Sequence, residues 1–128
     1  MMKEFESGAN AAEGRKPVRA SPLLGNQRMA RLVRDLFSEA RNERVLAARE
    51  LRHIAGKGGD ISEAFPAVLA SLRQRERDVA DNLLWAARYA HRNGFDISNM
   101  LPSIAILRNS GDGTTRGLAT IICETAGG

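Results

Sequence analysis

The chain contains few of the residues that build disulfide frameworks and metal sites. Among its 128 residues are one cysteine, Cys123, and two histidines, His53 and His91. A single thiol excludes an internal disulfide and is typical of a reducing compartment, where free cysteines tend to be buried and structural. The histidines are not spaced one helical turn apart, as a two-histidine zinc motif on a helix requires. We therefore expect a cytoplasmic protein without a metal or a cofactor.

Aromatic residues and long apolar runs are also scarce. Hydrophobic residues make up 43% of the chain but aromatic residues only 5%, so the apolar content is mainly aliphatic. Leucine and alanine favour stacked helices over a sheet built on valine, tyrosine and phenylalanine. No apolar run approaches the roughly 20 residues of a membrane helix, and no charged-then-apolar leader opens the chain. We expect an all-helical domain with no membrane partner.

What the sequence does contain is an internal repeat. Asp-Ile-Ser at residues 60–62, followed by Pro66, returns thirty-six residues later at residues 96–98, followed by Pro102. At this spacing, apolar positions fall on apolar positions through three copies between about residues 22 and 126. Repeats of roughly 20 to 50 residues are typical of solenoids, in which neighbouring units cover each other's apolar faces. The sequence predicts a short α-solenoid of about three antiparallel helix pairs.

The repeat divides the chain into two parts. Residues 1–21 have little periodic apolar content, which predicts a flexible leader. Residues 22–128 form a single domain in which helical periodicity predicts helices near 26–41, 43–55 and 77–92. Proline-opened helices follow the second and third of these, and a weaker helical segment ends the chain.

Capping signals define the helix ends. Asn42 is a candidate N-cap of the second helix, and Asp60 or Ser62 of the third, with Pro66 just inside it. The glycine-rich segment 56–59 favours exit from a helix over a phosphate-binding loop, because no strand precedes it.

Helix pairs near this period, opened by Asp-Ile-Ser-x-x-Phe/Leu-Pro, resemble HEAT repeats. Residues 42–45 (Asn-Glu-Arg-Val) and 78–79 (Asp-Val) resemble eroded copies of the Asp/Asn, Val and Arg signature of that family, although Ala80 replaces the arginine in the second copy. The resemblance implies a curved stack whose second helices line the concave side and bind proteins, peptides or nucleic acid. A fold does not decide among these partners.

The repeat also predicts a binding stripe, because matching polar positions of successive second helices lie side by side. Its candidate residues are Arg49, Arg52, His53, Trp85, Arg88, Tyr89 and Arg92. Guanidinium groups beside aromatic rings can clamp an acidic peptide, or stack on bases while pairing with phosphates. The alternative is a solvated helix face on which Trp85 and Tyr89 pack against a neighbouring helix.

The charge distribution adds a small preference for anionic partners. The net charge is +4, and residues 28–57 carry eight Lys/Arg against four Asp/Glu. All but three of the nineteen basic residues are arginine, which favours bidentate recognition of carboxylate or phosphate. We predict a non-enzymatic scaffold that binds a protein or acidic peptide, with nucleic acid as the alternative partner.

Two further hypotheses come from single segments. Asp81, Trp85 and Arg88, about one turn apart, resemble the site of HEAT-like DNA alkylation repair glycosylases, but such triplets are common on amphipathic helices. Exposed Ile121 and Ile122 would give an apolar C-terminal end that favours self-association.

Overall fold

The described part of the chain is entirely helical. The computed structural model describes residues 22–74 and 76–127, with side chains from residue 27. The six α-helices are α1 (Pro22–Asp35), α2 (Arg41–Gly56), α3 (Phe65–Arg73), α4 (Arg77–Arg92), α5 (Leu101–Ile106) and α6 (Gly113–Ala126). Because no strand occurs among these residues, the predicted all-helical class is confirmed. The predicted leader, residues 1–21, lies outside the described residues.

Short 3-10 turns flank the two proline-opened helices. Ser62–Ala64 leads into α3 and Ser98–Met100 into α5, while Leu107–Asn109 follows α5. Before each of the first two turns an aspartate carboxylate accepts the backbone N–H of a serine two residues on, Asp60 from Ser62 at 2.8 Å and Asp96 from Ser98 at 2.9 Å. These aspartates therefore fix the entry to the 3-10 turns rather than cap the α-helices themselves.

The helices pack in two layers. One layer contains α2, α4 and α6, with α4 in the centre and its most extensive contact against α2. The other contains α1, α3 and α5, which pack against α2, α4 and α6 respectively. None of the described helices is long and apolar enough to cross a membrane.

Alanines explain the close packing of α2 and α4. Ala48, Ala55, Ala86 and Ala90 are fully buried. Short side chains at a helix–helix contact allow the axes to approach closely. Between the layers, larger aliphatic side chains fill the core, among them Leu32, Leu51, Leu72, Leu83, Leu84 and Ile104.

Two predicted features of the first helix pair are wrong. The first helix ends at Asp35, not near residue 41, because the chain tightens into a turn in which the Phe37 N–H bonds to the Arg34 carbonyl. Asn42 is not a cap: α2 begins earlier, after Ala40. Arg44 holds this start by donating to the carbonyls of Ser38 and Glu39.

Candidate functional site

Helices α2 and α4 run parallel, and this places their outer side chains next to each other. Arg52, in the C-terminal half of α2, reaches Asn82 and Trp85 in the middle of α4. At the ends of the two helices, the Asn93 amide just after α4 donates to the Ala55 carbonyl at 2.9 Å. After each helix the chain passes through a glycine with positive φ, Gly58 at 87° after α2 and Gly94 at 93° after α4. The shared geometry keeps the two outer faces in register.

An aromatic cluster, defined as Arg52, Trp85 and Tyr89, spans the α2–α4 contact. The Trp85 and Tyr89 rings stack with centroids 5.6 Å apart and planes inclined by 30°. The Arg52 guanidinium carbon lies 5.1 Å from the Trp85 ring centroid, within cation–π range. All three side chains are half-buried, so the cluster is both held by the helices and open to solvent.

Neighbouring groups fix the orientation of the cluster. Arg52 Nη1 donates to Asn82 Oδ1 at 3.3 Å, and Asn82 Nδ2 in turn donates to the Asp78 carbonyl at 2.8 Å. The Tyr89 ring lies against Gly56, where a Cβ atom would come within 3.5 Å of ring carbons. The last turn of α2 therefore forms the floor beneath Tyr89.

The other predicted stripe residues lie on either side of this cluster. Arg49 and His53 are exposed and line a hollow between α1 and α2. Arg88 is half-buried and continues the row of Arg77 and Asp81 on α4. Arg77 pairs with Asp112 at the N-cap of α6, and Asp81 bonds to Thr115 within α6, so Arg88 lies on the α6 side of α4. Arg92, at the end of α4, is exposed. Three predicted residues thus meet directly, and four flank them.

Positive charge on this face is uncompensated within the described residues. None of Arg49, Arg52, Arg88 and Arg92 has a carboxylate partner there. Glu50, the nearby acid on α2, is engaged by Arg28 and Arg31 of α1. The C-terminal halves of α2 and α4 therefore present guanidinium groups available to a partner.

Ion pairs at the opposite ends of the same helices are structural, and neither helical periodicity nor the repeat predicted them. Arg44 Nε and Nη2 donate to the two Glu76 carboxylate oxygens at 2.7 and 2.8 Å, and Arg41 pairs with Asp78. The hydrogen bond from Arg44 holds the pKa of Glu76 below its ordinary value and raises the pKa of Arg44. These pairs connect α2 to α4 and leave few N–H groups for a ligand.

Asp81 is also engaged in packing. Its carboxylate accepts the Thr115 hydroxyl at 2.5 Å, joining α4 to α6. The Asp81, Trp85 and Arg88 triplet is therefore not assembled as an isolated carboxylate beside an aromatic ring. Within residues 22–74 and 76–127, no three His, Cys, Asp or Glu side chains converge as a metal site.

The predicted apolar end is only half present. Ile121 is 42% exposed, but Ile122 is 1% exposed, so the prediction of an exposed pair is wrong for Ile122. Successive side chains on a helix point about 100° apart. Ile121 faces solvent, and the next residue, Ile122, therefore faces the core. Cys123 is half-buried, and burial raises the pKa of its thiol, which makes it a weak nucleophile at neutral pH.

Comparison with protein-family models, curated proteins and solved structures finds nothing that matches this chain. Its function is accordingly inferred from the chemistry of its own surfaces.

Proposed function

We propose that the chain is a short α-solenoid of three helix pairs, similar to HEAT repeats. The starts of α2, α4 and α6 at residues 41, 77 and 113, successive intervals of thirty-six, support this arrangement. The ion pairs Arg41–Glu76 and Arg77–Asp112 recur at the same interval between successive second helices. Such a stack presents one row of equivalent outer positions to a partner.

We further propose a non-enzymatic function: binding of an acidic protein segment through the outer face of α2 and α4. The observation that carries this proposal is the Arg52 guanidinium held over Trp85, with Tyr89 stacked beside it and no carboxylate partner in the described chain. A guanidinium held over an aromatic ring still has N–H groups for a further partner, and these suit bidentate contact with a carboxylate.

The aromatic rings favour an apolar group in the ligand next to its carboxylate. Half-buried Trp85 and Tyr89 offer apolar surface next to the guanidinium, and such rings contribute strongly to binding at interfaces. Arg88 and Arg92 add positive charge along α4. The ligand that fits is a peptide with acidic residues separated by an apolar or aromatic residue.

Nucleic acid is the alternative, and the geometry is less favourable to it. Base stacking requires an open aromatic face, whereas Arg52 covers one face of Trp85 and Tyr89 lies against Gly56. The same arginines can still contact phosphates, so binding to nucleic acid has to be measured beside binding to peptide.

A salt-titrated binding assay tests the proposal. The probes are a fluorescent peptide of alternating glutamate and leucine with a central tyrosine, and a mixed-sequence single-stranded DNA. We expect the peptide to bind, the Arg52→Glu/Arg88→Glu variant to lose about tenfold or more in affinity, and moderate salt to weaken binding only partly. The charge-matched control is Arg73→Glu/Arg108→Glu, which changes exposed arginines of the other layer and should bind normally.

The outcomes separate the two partners. Steeply salt-dependent DNA binding without peptide binding would replace the peptide proposal by the nucleic-acid alternative. Equal loss in both double variants would show attraction to net charge alone and would refute a specific surface. Absence of binding to either probe would refute both.

A further inference from the structure

A second hollow lies away from the aromatic cluster, where α1 and α3 end and α2 and α4 begin. Its volume is about 390 Å³, which falls in the range of small-molecule sites. Arg44 in its wall precedes Arg52 by about two turns of α2, or roughly 12 Å along the axis. The hollow is therefore separate from the surface proposed to bind an acidic segment.

Apolar side chains form much of the wall. Leu36 and Val79 are buried at its base, and Phe37 is 55% exposed beside it. Covering a phenylalanine ring this exposed with an apolar group is favourable, because apolar surface is removed from water. The wall thus favours a ligand with a compact apolar body.

The charged groups in the wall compensate each other. Arg44 directs Nε and Nη2 to Glu76, and Nη1 to the carbonyls of Ser38 and Glu39. Glu76 is ionised at neutral pH, and the hydrogen bond from Arg44 lowers its pKa further, so the pair is a neutral unit of opposite charges. A charged ligand gains little here, so the hollow favours a neutral one.

Besides exposed Gln74, the one uncharged polar side chain in the wall is Ser71. It lines the hollow, is 3% exposed, and is the one residue in the described chain with a buried side-chain oxygen or nitrogen that has no hydrogen-bond partner. A buried hydroxyl without a partner is unfavourable, and a serine hydroxyl can both donate and accept. Rotation about the Cα–Cβ bond moves the Ser71 hydroxyl between staggered rotamers, and such a rotation can bring it to a hydrogen-bond partner in the hollow.

We infer that this hollow binds a small neutral molecule with a compact apolar body and one hydroxyl or amide group. The apolar body packs against Leu36, Phe37 and Val79, and the polar group bonds to the Ser71 hydroxyl. This site is independent of the proposed peptide-binding surface.

An equivalent hollow elsewhere in the chain provides an internal comparison. A cavity of about 420 Å³ lies between α4, α5 and α6, with Leu107 thirty-six residues after Ser71. Both of its hydroxyl groups already have partners, because Ser110 accepts the Asp112 N–H and Thr115 bonds to Asp81 and Asp112. The second hollow therefore has no buried hydroxyl without a partner, so the hydrogen bond proposed for Ser71 has no counterpart there.

The experiment compares p-cresol with toluene, which has the same ring and methyl group but no hydroxyl. Both are titrated into the isotope-labelled full chain while amide chemical shifts are followed. We expect p-cresol to shift the amides near Ser71 and Val79 and to bind about three- to tenfold tighter than toluene, the effect of one hydrogen bond. In Ser71→Ala the two affinities should become equal, and in Phe37→Ala both should weaken.

Three results obtained with bound probe would overturn the inference. These are equal affinities for p-cresol and toluene in the unaltered chain, a preference for p-cresol that persists in Ser71→Ala, and p-cresol shifts centred on Leu107 instead of Ser71. Absence of shifts near Ser71 with either probe in the millimolar range would do the same. None of these results depends on whether the acidic peptide binds at the aromatic cluster.

Discussion

Ser71 and Thr115 are two hydroxyl residues with opposite roles in stability. Ser71 is buried without a partner, whereas the Thr115 hydroxyl bonds to Asp81 and Asp112 and the Thr115 N–H to the Asp112 carboxylate. Removing an unpaired buried hydroxyl relieves a desolvation penalty, while removing a bonded one leaves its partners unsatisfied. The same kind of deletion should therefore change the free energy of unfolding in opposite directions.

We predict that Ser71→Ala raises the free energy of unfolding by about 1 kcal/mol and that Thr115→Val lowers it by about 1 to 2 kcal/mol. Urea unfolding followed by circular dichroism measures both. If Ser71→Ala lowered stability, its hydroxyl would have a hydrogen-bond partner in solution, and the role given to it in the hollow would be wrong.

Side-chain roles were only partly predictable from the sequence. The repeat put Arg52, Trp85 and Tyr89 in one stripe, and these three side chains meet in the structure. The register matched Arg52 to Arg88, however, whereas Arg52 lies over Trp85. The hydrophobic pattern of the sequence does not predict that the Ser71 hydroxyl lacks a partner, because this depends on which atoms of other helices come near. Ile122 was misassigned because an apolar pair at a helix end does not indicate which member faces inward.

At the scale of whole elements, helix interiors were easier to predict than helix ends. The predicted bounds of α4, near 77–92, agree with Arg77–Arg92, because strong amphipathic periodicity and Asn93-Gly94 define both the body and the exit. The end of α1 was placed too late because apolar Leu36 and Phe37 continue the helical pattern beyond the turn. The start of α2 is held by local side-chain bonds that helical periodicity does not reveal, from Arg44 to the carbonyls of Ser38 and Glu39.

Two glycines have opposite effects on their helices. Gly94 has a φ of 93° at the exit of α4, a conformation that a side chain disfavours. Gly117 lies exposed inside α6, and a Cβ atom placed there meets nothing within 4 Å. Glycine within a helix is less stable than alanine, because more backbone entropy is lost on folding.

We predict that Gly94→Ala lowers the free energy of unfolding by about 1 kcal/mol, whereas Gly117→Ala raises it by about 0.5 to 1 kcal/mol. Thermal unfolding of the two variants measures the contrast, and each serves as the control for the other. A stabilised Gly94→Ala would mean that α4 ends differently in solution, and the register of the Asn93 contact with α2 would then be wrong.

At the scale of the whole molecule, carboxylates with lowered pKa values connect successive helices and turns. Hydrogen bonds from Arg44 lower the pKa of Glu76, those from Ser62 and Ser98 lower the pKa of Asp60 and Asp96, and those from Thr115 lower the pKa of Asp112. A carboxylate with a lower pKa in the folded state than in the unfolded state stabilises the fold when ionised. This contribution is fully present above the ordinary pKa values of 3.8 for Asp and 4.5 for Glu.

The sign of the pH dependence follows. As pH falls through those ordinary values and then through the lower folded values, protons bind first to the unfolded chain, so stability decreases. We predict a nearly constant free energy of unfolding from neutral pH to about pH 5 and a steady loss below about pH 4. Urea unfolding at a series of pH values measures this, with Glu76→Gln as the diagnostic variant and the exposed Glu63→Gln as its control.

At neutral pH, Glu76→Gln should be less stable than the unaltered chain by up to about 1 kcal/mol, the range of partly exposed ion pairs. The difference should shrink as the pH falls below the folded pKa of Glu76, because both chains then carry an uncharged group at this position. Glu63→Gln should follow the unaltered chain closely, since Glu63 is exposed and has no ion pair among the described residues. A gap between Glu76→Gln and the unaltered chain that stayed constant to low pH would show that Glu76 acts through packing alone, and the Arg44 pair would then not hold α2 to α4 electrostatically.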